Sequence, residues 1–183
     1  MCLFSIITFG SCEYTKTKRY SSIEDYKFKK ELGEVLQRAS QRLEESECIV
    51  FRMDTLTKFD WDKMYAIGGN VFQEQIGETI GIPWEYDGGV GIFSEGDLLL
   101  VFIKRNKIVS TVRYIEGDPI FENFLIGTLG DYTSKSNSFY YMYKQYFSKM
   151  PGFYLKVNPI HKDSLLKHKK TIDGLKIVSI DNE

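Results

Sequence analysis

The chain has 183 residues, 43% hydrophobic and 27% charged, with 24 basic against 25 acidic side chains and three cysteines. A chain this long can bury a core without disulfide staples. Its formal charge of −1 speaks against a nucleic-acid binder, which carries a strongly basic domain. Modest Gly, Pro and Cys content excludes collagen-like, disulfide-rich and disordered classes, and no apolar run reaches the roughly 18 residues of a membrane-spanning helix.

Residues 1–12 (MCLFSIITFGSC) carry no charge, whereas six Lys or Arg fall between Lys16 and Lys30. The apolar run from Leu3 to Phe9 meets the lower limit of a signal-peptide core, about 7 residues, and Gly10-Ser11 suits a cleavage site. Cys12 directly behind that small pair resembles the lipobox of bacterial lipoproteins, in which the cysteine takes the lipid and becomes the first mature residue. Phe9 stands where Leu is usual, and no positive charge precedes the run. The same residues also read as a buried first strand. The expected organisation is a signal peptide over residues 1–11, lipidation at Cys12 and a single α+β domain over residues 12–183. Cleavage leaves Cys48 as the only other thiol, and its apolar run Cys48-Ile49-Val50-Phe51 marks a buried, inert cysteine.

Between residues 21 and 47 the apolar positions Phe28, Leu32, Val35, Leu36, Ala39 and Leu43 trace one face of an amphipathic helix. Ser22 is a candidate N-cap with Asp25 in the first turn, and Gly33 on the stripe marks close packing. Residues 48–53 then read as a strand. Trp61, Lys63, Tyr65 and Ile67 alternate with Asp62, Met64 and Ala66, the pattern of a strand with one largely apolar face. That face predicts a buried Trp61 beside Tyr65 and Ile67, under the long helix. Asn70 is a candidate cap for a short helix through Ile80, stopped by Gly81 and Pro83.

The clearest hairpin is predicted over residues 97–103 and 107–115 about the Lys104-Arg105-Asn106-Lys107 turn. Residues 138–147 fit either a helix or a two-sided strand. Residues 153–157 and 175–180 read as strands, with a short basic helix between Lys162 and Lys170. These elements predict an α+β fold: an antiparallel β-sheet packed against one long amphipathic helix in a single domain.

The stretch Phe59-Asp60-Trp61-Asp62-Lys63-Met64-Tyr65 resembles a class of small uncharacterised bacterial lipoproteins. Their pattern runs from a Trp-Asp-Lys strand through a short helix ending in an aliphatic-Gly pair to a Trp and a β-hairpin. Here these are Ile80-Gly81, Trp84 and the hairpin from Leu98 to Tyr114. The resemblance covers residues 59–114. It departs at Arg105-Asn106-Lys107, where Asn-Gly is common, and at Gly68-Gly69, where an aromatic or Pro is more usual. It implies export and membrane anchoring and no known reaction.

Catalytic and cofactor motifs are missing from the sequence. Gly88-Gly89-Val90-Gly91 lacks the endings and spacing of phosphate loops, and no nucleophile elbow, HExxH, CxxC or EF-hand loop is present. His161 and His168 sit among lysines that oppose a zinc dication. No cofactor and no metal are expected.

Residues 74–97 hold six acids and no Lys or Arg. Glu85 and Asp87 flank the Gly-rich loop there as candidate partner-binding groups; a Ca²⁺ site or a glycosidase carboxylate pair is the less favoured use of the same acids. Tyr140, Tyr141 and Tyr143 lie in an aromatic cluster suited to partner or sugar contacts, or to filling a core.

The expected function is that of a lipid-anchored protein of the bacterial cell envelope, acting by binding rather than catalysis, with the membrane and a protein as partners. Alternatives are an immunity-type inhibitor of a secreted toxin and a small envelope hydrolase.

Overall fold

The apolar stripe of the N-terminal third folds as helix α1 (Tyr26–Arg42), with Phe28, Leu32, Gly33, Leu36 and Ala39 on its buried face. The computed structural model describes residues 26–68, 71–84, 97–114, 124–126, 132–146, 153–167 and 170–178, so Ser22, Asp25 and Asn70 lie outside the described residues.

After α1 come β1 (Glu47–Arg52), the single turn α2 (Met53–Leu56), β2 (Lys63–Gly68) and α3 (Gln73–Ile80). The hairpin strands β3 (Leu98–Lys104) and β4 (Lys107–Tyr114) follow, then the short strands β5 (Phe124–Ile126) and β6 (Tyr132–Ser134) and a 3-10 turn over Lys135–Asn137. The chain continues through β7 (Phe139–Tyr146), β8 (Phe153–Pro159), α4 (Lys162–Lys167), β9 (Thr171–Ile172) and β10 (Leu175–Val178).

The fold is α+β, but the expectation of one antiparallel sheet beneath one long helix is corrected. Two sheets form: a four-stranded antiparallel sheet in the order β4-β3-β2-β6 and a six-stranded sheet in the order β5-β8-β7-β1-β10-β9. The second is mixed, because β1 runs parallel to β10 and β5 parallel to β8.

Strand periodicity supplies the physical reason. Successive side chains on a strand point to opposite faces, and β1, β2, β3 and β7 are apolar on both. Ile49, Phe51, Met64, Ala66, Leu98, Leu100, Phe102, Tyr140 and Met142 join the α1 stripe in one central cluster drawn from both sheets. The intervening residues face away. Tyr65, Ile67, Leu99, Val101 and Ile103 meet Ile76 and Ile80 of α3 in a second cluster. Cys48 and Tyr141 meet Ile172, Leu165 of α4, Leu175 and Ile177 in a third. Each sheet therefore needs cover on both sides. The long helix serves the central face alone.

Trp61 is fully buried (0% exposed) in the central cluster. It does not share a face with Tyr65 and Ile67, as the alternation predicted, because β2 begins only at Lys63 and the chain before it is not extended in register. The Trp61 indole N–H donates to Thr57 Oγ1 at 2.9 Å, and its ring meets Phe102 edge-on at 5.4 Å.

The predicted stops hold. Gly81 caps α3 in the left-handed region, φ 69°, where the missing Cβ removes the steric cost. At the N-terminal end, Phe72 is the capping residue, and its amide donates to the Gln75 side chain at 2.9 Å. The β3–β4 loop is two residues long, with Arg105 at φ 49° and Asn106 at φ 58°. Positive φ at both positions is the mark of a type I′ hairpin.

Candidate functional site

Of the predicted site residues, the structure describes Tyr140, Tyr141 and Tyr143. Cys12, Glu85 and Asp87 lie outside the described residues. Tyr140 is buried (2% exposed), stacked on Phe51 at 5.8 Å, and its hydroxyl donates to Thr133 Oγ1 at 2.8 Å. A ring so placed presents no surface to a partner. Burial, partly offset by the Thr133 hydrogen bond, pushes its phenol up to about 12.

Tyr141 points to the opposite face of β7. Its hydroxyl donates to Asp173 Oδ2 at 2.6 Å and accepts from Asn158 Nδ2 at 3.0 Å. Burial first, then the bond to the Asp173 carboxylate, raises this phenol to about 12 as well. Tyr143 is half-buried and stacks on Tyr141 at 5.9 Å. The aromatic run is thus a two-sided strand whose members are mostly structural.

The acidic segment also divides. Glu74 and Glu78 are exposed on α3, whereas Asp97 is buried and accepts from Arg113 Nη2 at 2.6 Å. Cys48 is fully buried, and burial, with the Asp173 charge adding to it, pushes its thiol up to about 11. Such a thiol is a poor nucleophile near neutrality. His161 is exposed, with Nδ1 3.5 Å from Asp163. Among the described residues no group of three or more His, Cys, Asp or Glu is placed to hold a metal ion.

The strongest concentration of polar chemistry lies elsewhere, in an open hollow of about 450 Å³ lined by Arg52, Asp54, Asp60, Trp61, Asp62, Ser134, Lys135 and Ser136. Four elements meet there. β1 ends in Arg52, and α2 carries Asp54. The segment entering β2 carries Asp60 and Asp62, and β6 leads into the 3-10 turn with Lys135.

Each carboxylate is committed. Asp54 receives Nε of Arg52 at 2.9 Å, its second nitrogen in a fork, and the Ser138 hydroxyl at 2.8 Å. Burial works to raise the Asp54 pKa, but the Arg52 and Ser138 hydrogen bonds outweigh it and hold the group below its usual range. Asp60 bridges two lysines, Lys104 of β3 and Lys135 at 2.6 Å. Hydrogen bonds from both ammonium groups hold its carboxyl far below the usual range. Asp62 accepts the backbone amide of Arg105 at 2.8 Å. Its own amide donates to the Ile103 carbonyl at 2.7 Å, and its carbonyl accepts from Lys135 at 3.0 Å.

The hollow therefore presents alternating fixed charges in near balance on a rigid floor. Such an arrangement can orient a polar or ionic group on a partner, but Asp54 and Asp60 are poised to stay ionised rather than to exchange protons near neutrality. Sequence reasoning noted Asp60 only within a resemblance and Asp62 only there and as the polar partner in a strand alternation. The available signal was that two acids flank a core tryptophan: anchoring Trp61 inward leaves both neighbours at the rim.

The chain matches no protein-family model, no curated protein and no solved structure in the comparisons made.

Proposed function

We propose that this chain is a membrane-anchored protein of the bacterial cell envelope, lipidated at Cys12, that works by contact rather than by turnover. The anchoring reading is supported by the uncharged run ending in Gly10-Ser11-Cys12. The observation that carries the contact reading is the hollow around Asp60, where each acid is paired in advance. Preorganised charges lose little on meeting a complementary surface and give specificity and orientation. Groups that chemistry would recruit are turned to other ends: Asp54 and Asp60 are held ionised, and the Cys48 thiol is held protonated.

The test has two parts. Intact mass of the membrane-extracted protein should show loss of residues 1–11 and gain of acyl chains at Cys12; a water-soluble, full-length product in the native host overturns the anchor. Crosslinking from a photoreactive residue at Ser136 should capture a discrete envelope protein, and capture should fall when Arg52 is changed to Ala. A purified protein that hydrolyses an envelope polymer, and loses that activity on an Asp54 or Asp60 substitution, overturns the contact reading.

A further inference from the structure

The face of the molecule that carries α4 combines an exposed leucine with several exposed lysines. Leu165 packs inward, into the cluster on the outer side of the six-stranded sheet, while its neighbour Leu166 stands 62% exposed. Lys162 lies one helical turn before Leu166, so the two share a face. Lys167 follows at once, Lys170 lies just beyond the helix, and all three lysines are exposed.

Acids are interspersed there: Asp163 lies against His161, Asp173 accepts the Tyr141 hydroxyl, Glu47 pairs with Lys176, and Asp163 and Asp173 are exposed. Among the described residues no ion pair engages the ammonium groups of Lys162, Lys167 or Lys170. An exposed leucine among lysines that outnumber the neighbouring acids is a combination by which a surface element settles on an anionic bilayer: cations draw it to the headgroups and the apolar side chain enters the acyl boundary.

We infer that the α4 face, through Lys162, Leu166, Lys167 and Lys170, rests on an anionic lipid surface and sets the orientation of the protein on its membrane. The inference deepens the membrane-anchored reading, since it assigns which side faces the bilayer. The consequence for the rest of the fold is geometric. With the outer side of the six-stranded sheet turned to the lipid, the outer side of the four-stranded sheet and α3 look away from it.

The test uses the full chain carrying Cys12→Ala, which cannot be acylated at that position, mixed with vesicles of phosphatidylcholine alone or containing phosphatidylglycerol. Surface amines are labelled and read by peptide mass, so contact at α4 is scored separately from any contribution of the N-terminal segment. The expected result is a drop of about fivefold or more in labelling of Lys162, Lys167 and Lys170 with anionic vesicles, roughly the weight of one lysine near such a surface. Exposed Lys107 on the β3–β4 hairpin should be unchanged, as should all four lysines with neutral vesicles. Leu166→Asp, whose fold is checked by circular dichroism, should restore most of the labelling.

Equal labelling of the three lysines with and without anionic vesicles overturns the inference, as does protection by an acidic protein or a nucleic acid in place of lipid. If acylation of Cys12 fails while α4 remains protected, the anchor reading falls and this one stands.

Discussion

The carboxylate of Asp62 accepts the backbone amide of Arg105, a residue 43 positions further along the chain. That amide belongs to a residue at φ 49°, a conformation a side chain with a Cβ adopts at a cost. The bond ties the tip of the hairpin to the rim of the hollow, where Asp60 already holds Lys104.

Removing that acceptor should loosen the turn. Asp62→Ala is expected to lower stability by about 1 kcal/mol, the usual worth of a hydrogen bond, read from the urea midpoint at unchanged slope. Amide exchange should quicken at Arg105 and Asn106 before it quickens in β2. Unchanged exchange at the tip would show that the turn holds without Asp62.

Trp61 is the largest side chain with no exposure. Trp61→Ala should cost about 3–5 kcal/mol, the range for emptying a large aromatic site. Trp61→Phe should cost less, because Thr57 Oγ1 keeps its bond to the Asp54 carbonyl at 3.3 Å. Chemical denaturation of both variants separates the cavity from the lost indole hydrogen bond.

How much of this was legible in the sequence depends on how local the signal is. The stripe of α1, the Gly81 stop and the hairpin turn are set by neighbours within a few residues, and each is found where periodicity and turn chemistry put it. A further local signal went unread: Asp173-Gly174, both at positive φ, is the dipeptide of a type I′ turn and joins β9 to β10. Strands β1, β8 and β10 of the second sheet were read singly, but their assembly into a sheet of its own left almost no trace. Its partners β1 and β10 meet through pairs such as Glu47 with Lys176, and pairing across such a separation has no periodicity of its own. β6 is three residues long, too short to alternate. The hollow was illegible for the same reason, since Asp60 meets Lys104 and Lys135 only after β2 has paired with both β3 and β6.

Acid should weaken the fold through the hollow. Asp54 and Asp60 have folded pKa values below those of an unfolded carboxyl. Their pairing therefore supports the fold fully above about pH 4 and is lost as pH falls through the depressed values. Asp60→Asn should flatten the acid limb by lowering the neutral plateau, leaving stability at the acid end little changed. An acid limb as steep as in the parent would place the titrating groups elsewhere.

Alkali acts through the opposite sign. Cys48, Tyr140 and Tyr141 have raised folded pKa values, about 11, 12 and 12. The unfolded chain releases these protons earlier, so stability is whole below about pH 8.5 and declines as pH rises towards 12. Absorbance at 295 nm should show Tyr140 and Tyr141 among the tyrosines that ionise late, with unfolding. Iodoacetamide should leave Cys48 unmodified until the fold opens.

Ser110 Oγ is buried in the central face of β4 with no hydrogen-bond partner among the described residues. Ser110→Ala removes an unsatisfied group and should leave stability unchanged or raise it by about 1 kcal/mol. A clear loss in thermal denaturation would reveal a partner for that hydroxyl.

The parallel seam between β1 and β10 also sets a schedule. β1 occupies an inner position of its sheet, between β7 and β10, so its final neighbour arrives only when residues 175–178 have emerged from the ribosome. Pairings of such long sequence separation form slowly, and until then the early strands keep unsatisfied edges. This seam therefore defers closure of the six-stranded sheet until residues 175–178 are made, long after its inner strand β1.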